Sequence, residues 1–224
     1  VVGCPMVYVE NSPKHLDSNF EYLLQKIQNK KFKILAHARH IWSKESLQHF
    51  GEYSKNNDWI IRSYSEFLFK TNKNDSILIL FEYGPDVEKS KMLSSKLNLN
   101  ENIIWLPKMK RKYILELIKR IDVVIGEFIQ IKNTLFGGVG YEALACGKPL
   151  INGWLFDEGY FQKKFGYPSP PLLKVKTEND IFIHLISLYS NNENRKEICY
   201  ESKKWFDDYN GIGLARKWID LILN

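Results

Sequence analysis

The sequence predicts an α/β domain built on a doubly wound parallel sheet. Three observations carry that expectation. From residue 33 onward, short apolar runs alternate with amphipathic helical stretches, the pattern of βαβ units with right-handed crossovers. Most of the runs are apolar on both sides, as strands covered by helices on both faces require. A glycine-flanked segment at 137–151 reads as a turn, a short helix, a cap and a buried strand.

In chain order, 5–10 reads as a strand or extended connector, Asn11-Ser12-Pro13 as a turn, and 19–28 as a helix. The first strand of the alternation is 33–37. At 56–58 an Asn or Asp side chain is placed to cap the next helix. That helix, 58–71, carries Trp59, Ile60, Tyr64, Phe67 and Leu68 at helical spacing. Strands at 76–81, 102–106, 122–125, 149–152 and 172–175 follow, with helices at 86–97, 110–120, 138–146 and 178–189. Helices at 194–208 and 212–223 close the chain with no strand between them. The predicted division is a connector and first helix at 1–30, a ligand-binding α/β body at 31–192, and C-terminal helices at 193–224.

Composition narrows the function classes. The chain has 224 residues, 44% hydrophobic and 26% charged, which is ordinary globular usage. No apolar run approaches the ~18 residues of a membrane span, and the start lacks a signal-peptide pattern. A cytoplasmic protein is expected. The chain begins at Val1 in mid-pattern, which predicts a piece of a longer polypeptide, with N-terminal processing as the alternative. Cys4, Cys146 and Cys199 are too widely spaced for a disulfide framework or a metal site, and Cys146 reads as a packed thiol. No histidine pairs with another ligand at metal spacing, so no metal is expected. The six tryptophans read mostly as core. A net charge of +6 suits an anionic partner or a solvated lysine-rich surface. Nucleic acid is not expected, because no recognition motif is present.

In an open parallel sheet, ligands bind beyond the carboxyl ends of the strands. The loops to inspect are 38–57, 82–86, 107–110, 126–138 and 153–158. Arg39 follows the first strand, with Lys44 and Lys55 behind it. A guanidinium there forks onto phosphate oxygens and a lysine adds a point charge; the alternative is a set of surface cations. His37 and His40 flank Arg39 and read as loop packing. Gly137 and Gly138 let a backbone approach a ligand closely, and the helix they open leaves N–H groups for a phosphate. Alternatively, they make a tight turn, Val139, Ala143 and Cys146 pack on the sheet, and Gly147 caps the helix. Glu142 reads either as a carboxylate favoured by the helix dipole or as an acceptor for a ribose diol. The run from Lys108 to Lys112 opens an amphipathic helix, either solvated or in peripheral contact with anionic lipid.

At 137–151, with Glu142-Ala143-Leu144-Ala145-Cys146-Gly147-Lys148-Pro149-Leu150, the chain resembles the donor-binding signature of the retaining GT-B glycosyltransferases, the glycosyl transferase group 1 or family 4 type. Similarity extends to the strand ending at Arg39, the Gly84-Pro85-Asp86 loop, the strand leading to Pro107, the Asp122-Val123-Val124 strand, and 8–20 as an interdomain linker. The resemblance implies a Rossmann-like domain forming one half of a GT-B fold. It implies a nucleotide diphosphate sugar as donor substrate, no cofactor, and a missing N-terminal acceptor domain. Transfer would be of a hexose-type sugar to a glycan, lipid or small acceptor, with retention of configuration. By residue, it implies that Arg39 and a lysine bind the diphosphate, Lys55 being favoured over Lys44. Gly137, Gly138, Val139, Gly140 and Tyr141 would approach the distal phosphate or sugar, Glu142 the ribose, and Pro107 and Lys108 the base. No catalytic residue is assigned within this chain.

The sequence departs from the family pattern at one point. The family usually has a glutamate eight positions before Glu142, where this chain has Thr134; Glu127 is the nearby carboxylate that could replace it. Two other readings stand beside the transferase: a sugar-nucleotide epimerase of the same architecture, and a non-catalytic nucleotide-binding or scaffold module.

Overall fold

The computed structural model describes residues 16–51, 53–71, 75–157 and 159–223. Six strands, β1 (Phe32–Ala36), β2 (Ser76–Phe81), β3 (Ile103–Leu106), β4 (Val123–Ile125), β5 (Leu150–Gly153) and β6 (Leu173–Val175), make one parallel sheet ordered β3-β2-β1-β4-β5-β6. The strands alternate side chains between two cores, as their period of two dictates. Leu35, Ile77, Ile79, Phe81, Val124 and Leu150 enter one core. Phe32, Ile34, Ala36, Leu78, Leu80, Val123, Ile125 and Ile151 enter the other. This two-sided burial is why the strands carry almost no polar positions.

The first core is covered by α1 (Ser18–Gln28), α5 (Arg111–Lys119), α6 (Gly138–Ala145), α7 (Tyr160–Phe165) and α9 (Asn192–Tyr209), through Phe20, Leu117, Leu144, Phe161 and Phe206 among others. The second is covered by α3 (Asn57–Lys70), α4 (Val87–Lys96) and α8 (Glu178–Ser190), with Ile60, Phe67, Leu93 and Leu185 facing it. The short α2 (Lys44–Phe50) lies between β1 and α3, and α10 (Ile212–Leu223) packs on α9. The all-parallel α/β architecture agrees with the expected fold. The connector at 5–10, the turn at 11–13, Cys4 and most of the expected linker at 8–20 lie outside the described residues.

Several local expectations need correction. Asn56 does not cap α3 with its side chain. It sits in the left-handed region, φ 47, and its amide donates to the Phe128 carbonyl at 2.8 Å. Asn57 instead accepts from the Ile41 N–H at 3.0 Å. The asparagines thus tie three loops together rather than closing a helix. Among the tryptophans, Trp154 and Trp205 are buried, whereas Trp218 on α10 is 41% exposed. Of the stripe expected to pack under the glycine turn, Ala143 is buried, but Val139 and Cys146 are half-buried. Burial pushes the Cys146 thiol up to about 11, so it stays protonated. The sequence pattern does not predict the helices α2 and α7.

Candidate functional site

The order in which strands are added reverses between β1 and β4: β2 and β3 lie to one side of β1, β4 to β6 to the other. Ligand crevices form at such a switch point. A cavity of about 660 Å³ opens there. The end of β1 contributes His37, Ala38 and Arg39, and the end of β2 contributes Phe81 and Tyr83. Lys108, Met109, Arg111 and Ile114 come from beyond β3, Glu127 from beyond β4, and Lys55 from just before α3. Gly138, Val139 and Glu142 complete the wall from α6.

Each of these side chains is held by backbone that the sequence obliges to be there. The loop after β1 is hydrogen-bonded to the loop after β2, His40 N–H to the Tyr83 carbonyl at 2.7 Å. Gly84 makes that approach achievable. Its φ is 121, and a Cβ there would lie 2.4 Å from the His40 carbonyl oxygen. Asp86 closes the arrangement from below: its buried carboxylate accepts from the Trp42 and Ser43 N–H groups at 2.6 and 2.9 Å, and from the Ser43 and Ser46 hydroxyls at 2.6 and 2.8 Å. Burial alone would raise the Asp86 carboxyl, but these donors outweigh it and hold it below the usual range. Lys55 is fixed by its N–H on the Ile41 carbonyl at 2.7 Å. Glu127 is keyed to β5: its N–H donates to Asn152 Oδ1 and its carbonyl accepts from the Gly153 N–H, both at 2.9 Å.

The charges are partnered in different ways. Lys55 and Glu127 form an ion pair. A Cβ on Gly137 would stand 3.2 Å from both Glu127 carboxylate oxygens, so Glu127 lies directly under the glycine turn. Arg39 makes no ion pair among the described residues; its guanidinium carbon sits 5.0 Å from the Phe50 ring centroid and 5.8 Å from that of Tyr83. Lys108 occupies the same tyrosine, 4.6 Å from its centroid. Glu142 is 9% exposed, and each of its two oxygens accepts one contact, Oε2 from His37 Nε2 at 2.7 Å and Oε1 from Arg111 Nε at 2.9 Å.

Of the residues expected from sequence, the cavity brings together Arg39, Lys55, Lys108, Gly138, Val139 and Glu142. It does not bring in Lys44, Pro107, Gly137, Gly140 or Tyr141. Lys44 is the exposed first residue of α2, behind the Ser43 cap. Pro107 lines a separate small cavity beside Phe20 and Tyr113. Gly137 backs onto Glu127. Gly140 faces the Phe136 ring, and Tyr141 packs on that ring with centroids 4.8 Å apart. Burial pushes the Tyr141 phenol up to about 12. Thr134 is likewise absent from the lining, while Glu127 is part of it.

Sequence reasoning misses His37, Tyr83 and Arg111. The strand-end rule that selects Arg39 also applies to Tyr83, two residues beyond β2. His37 reads as packing, and Arg111 sits in a basic run whose simplest reading is a solvated face. Two members of that run, Lys108 and Arg111, turn into the cavity instead. Among the described residues no cluster of histidine, cysteine or carboxylate side chains has the arrangement to hold a metal ion.

Residues 48–153 match the family described as "Glycosyl transferases group 1", and they include all of β2 to β5 and α6. The match covers just under half of the chain. The solved structures similar to it agree in fold. S. aureus TarM, a mutant form in complex with Fondaparinux, alpha-GlcNAc-glycerol and UDP, aligns at TM-score 0.62 with 16% identity. WaaG, a glycosyltransferase involved in lipopolysaccharide biosynthesis, aligns at 0.62 with 16% identity. Anabaena HepE in complex with UDP-glucose aligns at 0.64 with 13% identity. These alignments cover 96%, 98% and 93% of this chain but 38%, 55% and 53% of the three structures, so the chain spans only about two fifths to just over half of their length. No curated protein sequence matches the chain. The six-stranded parallel sheet with a cavity at its switch point is a Rossmann-like fold, and the solved structures it resembles, WaaG among them, share that fold.

Proposed function

We propose that the chain binds a nucleoside diphosphate sugar and, with an acceptor-binding domain, transfers the hexose-type sugar to a glycan, lipid or small acceptor. One observation carries this reading: Arg39, Lys55, Lys108 and Arg111 converge with the N-terminus of α6 on a single cavity. Four cations against the two carboxylates Glu127 and Glu142 leave a net charge of +2, and a nucleoside diphosphate sugar carries about two negative charges. The first turn of α6 adds N–H groups that a helix cannot satisfy internally. As the glycosidic bond breaks, charge accumulates on the departing diphosphate. Arg39, Lys55 and those amides would stabilise it without reorganisation. Glu127, under the glycine turn, is the carboxylate we assign to the sugar in place of the family's usual glutamate. Retention of configuration is part of the proposal and rests on the family resemblance. The UDP and UDP-glucose bound by TarM and HepE support the donor class.

Calorimetric titration with UDP, GDP and ADP tests this reading. One of them should bind, and Arg39→Ala should weaken it about tenfold or more, the worth of a charge-assisted hydrogen bond. Lys44→Ala should leave the affinity unchanged. If none of the three binds or raises the melting temperature, the donor reading fails.

A further inference from the structure

We infer that His37 and Arg111 are positioning residues that aim Glu142 at the ribose diol and so set a preference for ribonucleotide over deoxyribonucleotide donors. The inference rests on the donor-binding reading above. Neither side chain is selected by the sequence; His37 is not among the four cations of the cavity, and Arg111, which is one of them, has its Nε on Glu142.

The geometry is a clamp from two elements onto a third. His37 comes from the carboxyl end of β1, and its side chain is only 5% exposed. Its ring stands edge-on to Phe81, with centroids 6.2 Å apart, which leaves it little freedom. Arg111 is the first residue of α5, and its side chain is half exposed. Glu142 projects from the second turn of α6. The carboxylate has two oxygens, each with two lone pairs. His37 Nε2 uses a site on Oε2 and Arg111 Nε a site on Oε1. Each oxygen keeps a further lone pair, and Glu142 lines the cavity. Two adjacent oxygens with acceptor capacity match two adjacent hydroxyl donors. The pair of donors also satisfies a carboxylate that would otherwise be buried with unmet hydrogen bonds.

A free glutamate has three side-chain torsions to fix before it can receive a diol, and that ordering lowers affinity. In the clamp they are fixed in advance. Interactions with the 2′-hydroxyl therefore depend on His37 and Arg111, although neither need touch the nucleotide. Donation from Nε2 leaves the second ring nitrogen, Nδ1, buried and without a hydrogen-bond partner among the described residues. The ring thus has one polar contact, and it is spent on Glu142.

The test compares each of UDP, GDP and ADP with its 2′-deoxy counterpart, by calorimetry on the chain and its variants. With the nucleotide that binds best, the unsubstituted chain should favour the ribo form by about tenfold, the worth of one hydrogen bond to a charged group. Arg111→Ala, at an exposed position, should cut that ratio to about two or three. His37→Ala should do the same, and His37→Gln, which keeps a donor, should restore it. Matching melting temperatures check that each variant is folded. If Arg111→Ala and His37→Ala lower both affinities in equal proportion, or leave the ratio intact, the clamp does not position Glu142 and the inference is overturned. The same holds if the unsubstituted chain shows no ribo preference while binding nucleotide. If no nucleotide binds, the donor reading falls and takes this inference with it.

Discussion

Arg39 reaches the cavity between two aromatic rings, and its neighbour His40 points the other way. His40 is 1% exposed and hydrogen-bonds Ser90 Oγ through Nδ1 at 2.8 Å. Burial pushes its imidazole down to about 4, against upward pulls from Asp86 and the Phe81 backbone. The unfolded ring takes a proton near its ordinary value of 6.5, and the folded ring does so only near 4. Between those values the unfolded state binds more protons, so stability is lost as pH falls through the window, by about 3 kcal/mol across it. Asp86, held low in the fold, loses its contribution in the same direction at still lower pH. Urea denaturation at about pH 7 and about pH 5 should show the loss, and His40→Gln should reduce it; an unchanged pH dependence in that variant would assign the effect elsewhere. The site's pairings are not legible in the sequence. His37 and Glu142 are 105 positions apart, and Lys55 and Glu127 are 72 apart, so spacing says nothing about either contact. Arg39 is legible because it follows directly from a strand end, and a strand end has a fixed place in a parallel sheet.

At the scale of elements, α6 separates its glycines by task. A Cβ added to Gly138 meets nothing within 4 Å, and Gly138 lines the cavity. A Cβ added to Gly140 would lie 2.2 Å from the Phe136 ring. Gly138→Ala should therefore fold at least as well as the parent, since alanine favours a helix by about 1 kcal/mol. It should still bind nucleotide less well, because the methyl group enters the space a phosphate would use. Gly140→Ala should lose about 1–3 kcal/mol of stability through overpacking. Thermal melts and titrations of both variants separate the two effects, and a destabilised Gly138→Ala would contradict the assignment. The strands and long helices are readable in the sequence almost to their ends because the sheet is buried on both faces. The short helices α2 and α7, of seven and six residues, offer too few turns for an apolar stripe to emerge. Gly159 and Gly166, at φ 72 and 76, bracket α7 and make it read as loop.

At the scale of the molecule, the cavity is assembled from the loops of four strands, Lys55 just before α3, and the opening turns of α5 and α6, while the two cores hold those parts in register. Its net positive charge predicts that nucleotide affinity falls as salt rises, because screening shortens the reach of partly exposed cations. Titrations at low and high salt should show the decline, and Arg39→Ala should flatten it. The fold is visible in the sequence because periodicity is a local property. The partners of Glu142 are not, because they are set by strand order, which brings β1 and α6 together only after four strands have crossed. Asn152 shows how far that dependence extends. It is 2% exposed on β5, and its amide oxygen fastens the N–H of Glu127. A leucine there would preserve the apolar character of the strand yet release the acid from its mooring. If Glu127 holds the donor sugar as proposed, variants that fail to grip it will include some whose altered side chain no sugar ever meets.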